Sequence, residues 1–137
     1  MNYQKIKDQL IKHEGLRLKP YKCTAGKLTI GVGRNLDDVG ISEHEALDML
    51  FNDIGKCMND LREIFQQFDQ FPENIQLVLV DMRFHLGPNR FRAFRAMIRA
   101  VDDRDWSEMI RQMKNSAWYL QVKNRANNLI EMVKNAK

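Results

Sequence analysis

Between Leu16 and Asn35 the chain departs from the pattern that governs the rest of it. The segment reads Leu-Arg-Leu-Lys-Pro-Tyr-Lys-Cys-Thr-Ala-Gly-Lys-Leu-Thr-Ile-Gly-Val-Gly-Arg-Asn. Apolar and polar residues alternate, and Thr24-Ala25-Gly26 supplies a turn, so the alternation predicts a β-hairpin. The glycines at 31 and 33 are too regular for a plain strand. They predict the close approach of another backbone or of a ligand.

Everything around this segment reads as helix. Tyr3, Ile6 and Leu10 share one face of a short helix that ends near Glu14-Gly15. Ser42-Glu43-His44-Glu45 has the form of a capping box, followed by Leu47, Leu50, Phe51, Ile54, Met58 and Leu61 as a helical stripe of about five turns. After Pro72 the stripe resumes as Ile75, Val78, Leu79, Met82 and Leu86, and Gly87-Pro88 closes it. Phe94, Met97, Ile98 and Val101 mark another helix. Asp105 caps one holding Met109, Ile110 and Met113, and a last helix carries Val122, Ala126, Leu129, Ile130 and Val133. A small hairpin set among helices, with no internal repeat, predicts a predominantly helical α+β fold.

At 137 residues the chain is the size of one domain. Its apolar runs are short and broken by charge, which argues against a membrane span, and no apolar segment follows Lys5 as a secretory signal would require. Cys23 and Cys57 are too few for a metal-ligand pattern and are expected as reduced thiols; no metal or other cofactor is expected. Net charge is +4, spread unevenly. Residues 1–82 hold 10 Lys and Arg against 13 Asp and Glu, and residues 83–137 hold 12 against 5. That asymmetry predicts attraction to a polyanion, or simply a solvated basic surface.

The arginines of Arg90-Phe91-Arg92-Ala93-Phe94-Arg95-Ala96-Met97-Ile98-Arg99 interleave with aromatics, as in nucleic-acid or membrane-binding segments. Phe94, Met97, Ile98 and Val101 account for one face as core, which leaves the arginines as a solvated basic face. Trp106, Trp118 and Tyr119 are most simply core. His85 has no acid beside it in the local sequence with which to form a dyad.

Glu14 stands where the first helix gives way to the hairpin. A carboxyl group there can be partly desolvated, which would raise its pKa and suit it to donate a proton. Eight residues separate Glu14 from Cys23, and five separate Cys23 from Thr29, which opens a Thr-Ile-Gly-Val-Gly run. In this spacing the chain resembles the phage-type lysozymes, glycoside hydrolase family 24, whose pattern is Glu, eight residues, Asp or Cys, five residues, Thr. Asp81-Met82-Arg83-Phe84-His85-Leu86-Gly87, Trp106, Trp118-Tyr119 and Asn124-Arg125-Ala126 extend the likeness over nearly all of residues 3–135. The T-even members of the family carry extra chain between the positions of Gly33 and Ile41. Here Asn35-Leu36-Asp37-Asp38-Val39-Gly40 crosses directly to the long helix.

The resemblance implies a two-lobed lysozyme-like domain over residues 1–137, with a hairpin lobe of 14–58 and a helical lobe of 1–13 plus 66–137. It implies cleavage of the β-1,4 bond between N-acetylmuramic acid and N-acetylglucosamine in peptidoglycan. Glu14 would then be the general acid, Arg125 its charged partner, and Thr29 the holder of water or a substrate group. Asn35, Phe84 and Gln112 match or adjoin sugar-binding positions, although Phe84 also reads as core and Gln112 as helix surface. Cys23 stands where most members have Asp, and three roles are open to it: nucleophilic thiolate, weak base, or inert side chain. The implied partner is a peptidoglycan strand, with anionic wall polymers or a membrane surface as secondary contacts and no nucleic acid. The implied setting is a monomeric endolysin, held in the bacterial cytoplasm until it is released to the wall.

Overall fold

A computed structural model describes all residues from Met1 to Lys137. Seven α-helices, one 3-10 turn and a three-stranded antiparallel sheet make a predominantly helical α+β chain. It divides into two compact units, Met1–Met49 and Leu50–Lys137.

The first unit opens with α1, Tyr3–Glu14, whose N-terminus is capped by the Asn2 side chain accepting from the Lys5 N–H. Gly15, at φ 80°, stops the helix and returns its own N–H to the Ile11 carbonyl. Strands β1 (Arg17–Lys22) and β2 (Leu28–Gly31) then form the hairpin, with Tyr21 opposite Thr29 and Lys22 opposite Leu28. The turn falls where the sequence places it. The Gly26 N–H donates to Cys23 and the Cys23 N–H to Lys27, both at 2.9 Å. Alternation does not reveal β3, Arg34–Asn35, which pairs Asn35 with Thr29 and Arg34 with Ile30. Gly31 and Gly33, both at positive φ, reverse the chain between β2 and β3.

The capping box is real. The Glu45 N–H donates to Ser42 Oγ at 3.1 Å, and the Ser42 N–H donates to Glu45 Oε1 at 3.0 Å, at the start of α2, Glu43–Ile64. Arg34 grips the same Glu45 through both terminal guanidinium nitrogens, Nη1 and Nη2, at 3.0 and 2.9 Å, and also reaches the Gly40 carbonyl. This ties the last strand to the first turn of the long helix. The α2 stripe is only half right, however. Leu47, Leu50 and Phe51 are exposed, and burial begins at Cys57 and Leu61. Periodicity identifies which residues share a face, not whether anything packs on it.

The second unit holds the core. After a 3-10 turn at Phe68–Gln70 come α3 (Glu73–Arg92), α4 (Arg95–Asp102), α5 (Trp106–Lys114), α6 (Ala117–Gln121) and α7 (Lys123–Lys134). Leu61, Phe65, Phe68, Ile75, Leu79, Met82, Phe91, Met97, Met109 and Met113 are sealed from solvent together. Phe71 meets Phe65 and Trp106 edge to face, with ring centroids 5.6 and 6.1 Å apart. Trp118 is buried against Phe94, while Trp106 and Tyr119 pack half-buried on the same core, as their size predicts. Within α3, Gly87 leaves helical geometry at φ 81° and ψ 172°, so the helix kinks where the sequence marks its end. Burial by itself would raise the Asp60 carboxyl. Ion pairs from Arg92 and Arg83 more than offset it and hold the group below its usual range.

Candidate active site

In the first unit the end of α1 and the glycine turn of the sheet meet at Glu14. A β-carbon added at Gly33 would stand 2.9 Å from Glu14 Oε2 and 3.3 Å from its carboxyl carbon. The glycine spacing predicts a backbone or a ligand close by; at Gly33 the neighbour is instead the Glu14 side chain, for whose carboxylate the missing Cβ makes room, and at Gly31 nothing comes within 4 Å of that position. Glu14 itself is exposed. The partial desolvation expected at the helix–hairpin junction is therefore not supplied by these residues. A helix end of this kind leaves the side chain facing solvent, and only a bound substrate would strip its water.

Thr29 is the buried polar residue of the unit, at 3% exposure, and its hydroxyl donates to the Lys27 carbonyl at 2.9 Å. Cys23 is a free, half-buried thiol at the head of the turn. Hydrogen bonding from the Lys27 backbone, then from Ala25, draws the thiol below its ordinary value; burial opposes this and the Thr29 hydroxyl adds to it. A hydroxyl carries one proton, so donation to Lys27 and donation to a Cys23 thiolate are alternatives. Asn35, paired with Thr29 in the ladder, uses its amide on Asp38. Its Nδ2 donates at 2.9 Å and its Oδ1 accepts from the Asp38 N–H at 3.0 Å. Asp37 takes the Leu28 N–H at 2.7 Å, and Asp38 pairs with Lys27 at 3.3 Å. The short crossing after Asn35 is thus a clamp on the hairpin, and much of Asn35's bonding capacity goes to that clamp rather than to a sugar.

In the second unit, Arg125 stands in the first turn of α7. Its Nε donates to Asp81 at 2.7 Å, and its Nη1 lies 3.3 Å from His85 Nδ1. Nδ1 must accept, which places the imidazole proton on Nε2. His85 therefore does have an acid at hand, joined to it through the guanidinium. Asp81 lies one turn before His85, at the i, i+4 spacing that puts both on one helix face, and the sequence signal for this acid is that spacing rather than adjacency. Phe84 is 45% exposed, not core. It lines a cavity of about 370 Å³ with Leu77, Val80, Asp81 and Arg125. Gln112, on α5, donates to Glu108 at 2.8 Å and borders a separate hollow at the start of α4. The sequence-predicted residues thus fall into two groups: Glu14, Cys23, Thr29 and Asn35 around the sheet, and Phe84, Gln112 and Arg125 on the helices.

A description of phage lysozymes built from the family as a whole matches residues 11–132. The chain belongs to the phage lysozyme family. Two relatives from Dictyostelium discoideum, named probable T4-type lysozyme 2 and probable T4-type lysozyme 1, are each 25% identical over 93% of this chain and 92% of their own length. The pre-baseplate central spike protein Gp5 of Enterobacteria phage T4 is 24% identical over 92% of the chain, which spans 27% of that protein. This phage lysozyme family member is therefore a glycoside hydrolase of the lysozyme type, and its family-level substrate is peptidoglycan. None of its helices is long and apolar enough to cross a membrane.

Proposed function

We propose that the chain cleaves the β-1,4 bond between N-acetylmuramic acid and N-acetylglucosamine with Glu14 as general acid. The observation that carries this reading is the fit of the Glu14 carboxylate over Gly33, which holds the acid against the hairpin bearing Cys23 and Thr29. Glu14 gives its proton to the glycosidic oxygen as the C–O bond breaks, so the leaving sugar departs as a neutral alcohol. Positive charge then develops at the anomeric carbon, and a water held by Thr29 attacks it.

Cys23 serves as the anionic partner of that water. Its lowered thiol value favours the thiolate, which stabilises the oxocarbenium-like state and accepts the water's proton. Activity through this base rises with pH as Cys23 ionises, and the first product is the inverted anomer. Arg125, steadied by Asp81 and His85, is the arginine that the family pattern assigns as the charged partner of the acid. Phe84 offers its exposed ring to a sugar face, and Gln112 is a candidate polar contact. The lobes of 14–58 and of 1–13 plus 66–137, and a role as a monomeric endolysin waiting in the host cytoplasm, belong to the same proposal.

Release of reducing ends from purified peptidoglycan tests it. Glu14→Gln should lower the rate on the order of 100-fold or more, the usual worth of a positioned general acid, with the fold intact by circular dichroism. Near-wild-type activity in that variant would remove Glu14 from the role. A retained anomer in the first-formed product would replace the base by a covalent thioglycosyl intermediate. Binding of wall fragments without any reducing ends would leave a glycan-binding module.

A further inference from the structure

The reaction above makes no use of the ion pair between Arg34 and Glu45. The two side chains meet through parallel bonds, Nη1 to Oε1 at 3.0 Å and Nη2 to Oε2 at 2.9 Å. Both face solvent, at 38% and 42% exposure. At that exposure water screens the attraction, and such a pair adds little to the stability of a fold. What a forked pair does supply is direction. Two parallel bonds fix the plane of the guanidinium as well as its distance.

Arg34 follows directly on Gly33, the residue whose missing Cβ leaves room for the Glu14 carboxylate. The reversal before it, Gly31-Val32-Gly33, has little to anchor it. Its two glycines, both at positive φ, carry no side chain, and Val32 is exposed. Beyond it β3 is only two residues long, paired to β2 through Arg34 and Asn35. Register is weakly specified in so short and glycine-rich a ladder. The Arg34 side chain ties this end of the sheet to firmer structure. Its partner is itself held in the first turn of α2, where Glu45 Oε1 accepts the Ser42 N–H and the Glu45 N–H donates to Ser42 Oγ. Arg34 Nη1 also donates to the Gly40 carbonyl at 3.2 Å. Glu14, Gly33, Arg34 and Glu45 thus form one chain of contacts from the end of α1 to the start of α2.

We propose that Arg34 is a positioning residue for the acid: its fork to Glu45 fixes the Gly33 backbone, and that backbone sets where the Glu14 carboxylate stands. The effect on rate rests on Glu14 as the general acid; the contact itself does not. A general acid works only within hydrogen-bond reach of the leaving oxygen, and an ångström of displacement lowers the rate on the order of 100-fold. A lysine at position 34 keeps the charge but offers a single nitrogen, so it cannot reproduce the fork.

Reducing-end release from purified peptidoglycan and amide spectra of the ¹⁵N-labelled chain test this. Arg34→Gln should lower kcat at least about tenfold with KM little changed. Arg34→Lys should also lower kcat while melting close to wild type, and it carries the test if Arg34→Gln does not fold. Full kcat in either variant overturns the proposal. The deciding measurement is a cycle with Glu14→Gln. Once the acid is gone there is nothing left to position, so R34Q should cost no further rate in that background. An equal loss in both backgrounds would make the arginine merely structural and overturn its role. The Gly33 amide reads the same contact without turnover. At a fixed pH, Glu14→Gln should move that resonance when Arg34 is present and hardly at all in the R34Q protein. A response of equal size with and without Arg34 overturns the positioning. If Glu14→Gln keeps wild-type activity, the assignment of the acid fails, and the Gly33 response alone decides whether Arg34 places that carboxylate.

Discussion

At Gly33 the backbone occupies the place where any side chain would meet the Glu14 carboxylate, and the residue's φ of 69° is one that L side chains rarely adopt. Gly33→Ala should therefore act on chemistry more than on folding. The strained backbone costs about 1–2 kcal/mol, while displacement of the acid by even an ångström lowers the rate on the order of 100-fold. A thermal melt read beside reducing-end release separates the two, and a large fall in melting temperature with unchanged specific activity would contradict it. Glu45 gives a prediction in pH. Arg34, first, and the Ser42 backbone N–H hold its carboxyl down at about 2. A group depressed on folding contributes stability above its unfolded value near 4.5 and loses it as pH falls toward 2. Glu45→Gln should melt below wild type at pH 6, and the gap should close by about pH 2. A gap independent of pH would mean that charge is not what Glu45 provides. The side chain is solvent-facing, so screening keeps the effect modest.

Among the elements, helices were legible because a 3.6-residue period, caps and glycine stops are all short-range signals. Asn2, Ser42 and Asp105 act at the helix starts, and Gly15 and Gly87 at the breaks. β3 escaped because two residues carry no period, and the exposed half of the α2 stripe escaped because amphipathicity is silent about partners. Gly87 provides the test at this scale. No atom lies within 4 Å of a Cβ built there, so Gly87→Ala has only the backbone at φ 81° to contend with. We expect a loss of about 1–3 kcal/mol in chemical denaturation, with the unfolding slope unchanged. A neutral or stabilising result would show that α3 can run straight through the kink.

For the whole molecule, burial is lopsided. Residues 50–137 hold the sealed core, whereas Thr29 is the buried residue of Met1–Met49. Native-state hydrogen exchange should find the slowest amides in α3, α5 and α7. Those of residues 17–35 should exchange at least about tenfold faster, since few buried apolar contacts oppose local opening there. Equal protection in the two units would overturn this. What the sequence by itself determined was local: the hairpin and its turn, the helix limits, the capping box, and the spacing of Glu14, Cys23 and Thr29 that marks the family. Only the tertiary structure decided who meets whom. It set the Glu14 carboxylate over Gly33, gave Arg125 to an aspartate 44 residues away, spent Asn35 on Asp38 and brought Phe84 to the surface. Periodicity and capping act over one or two turns of chain and can be read along it. Burial and pairing depend on distant residues packing together, and no local pattern records them.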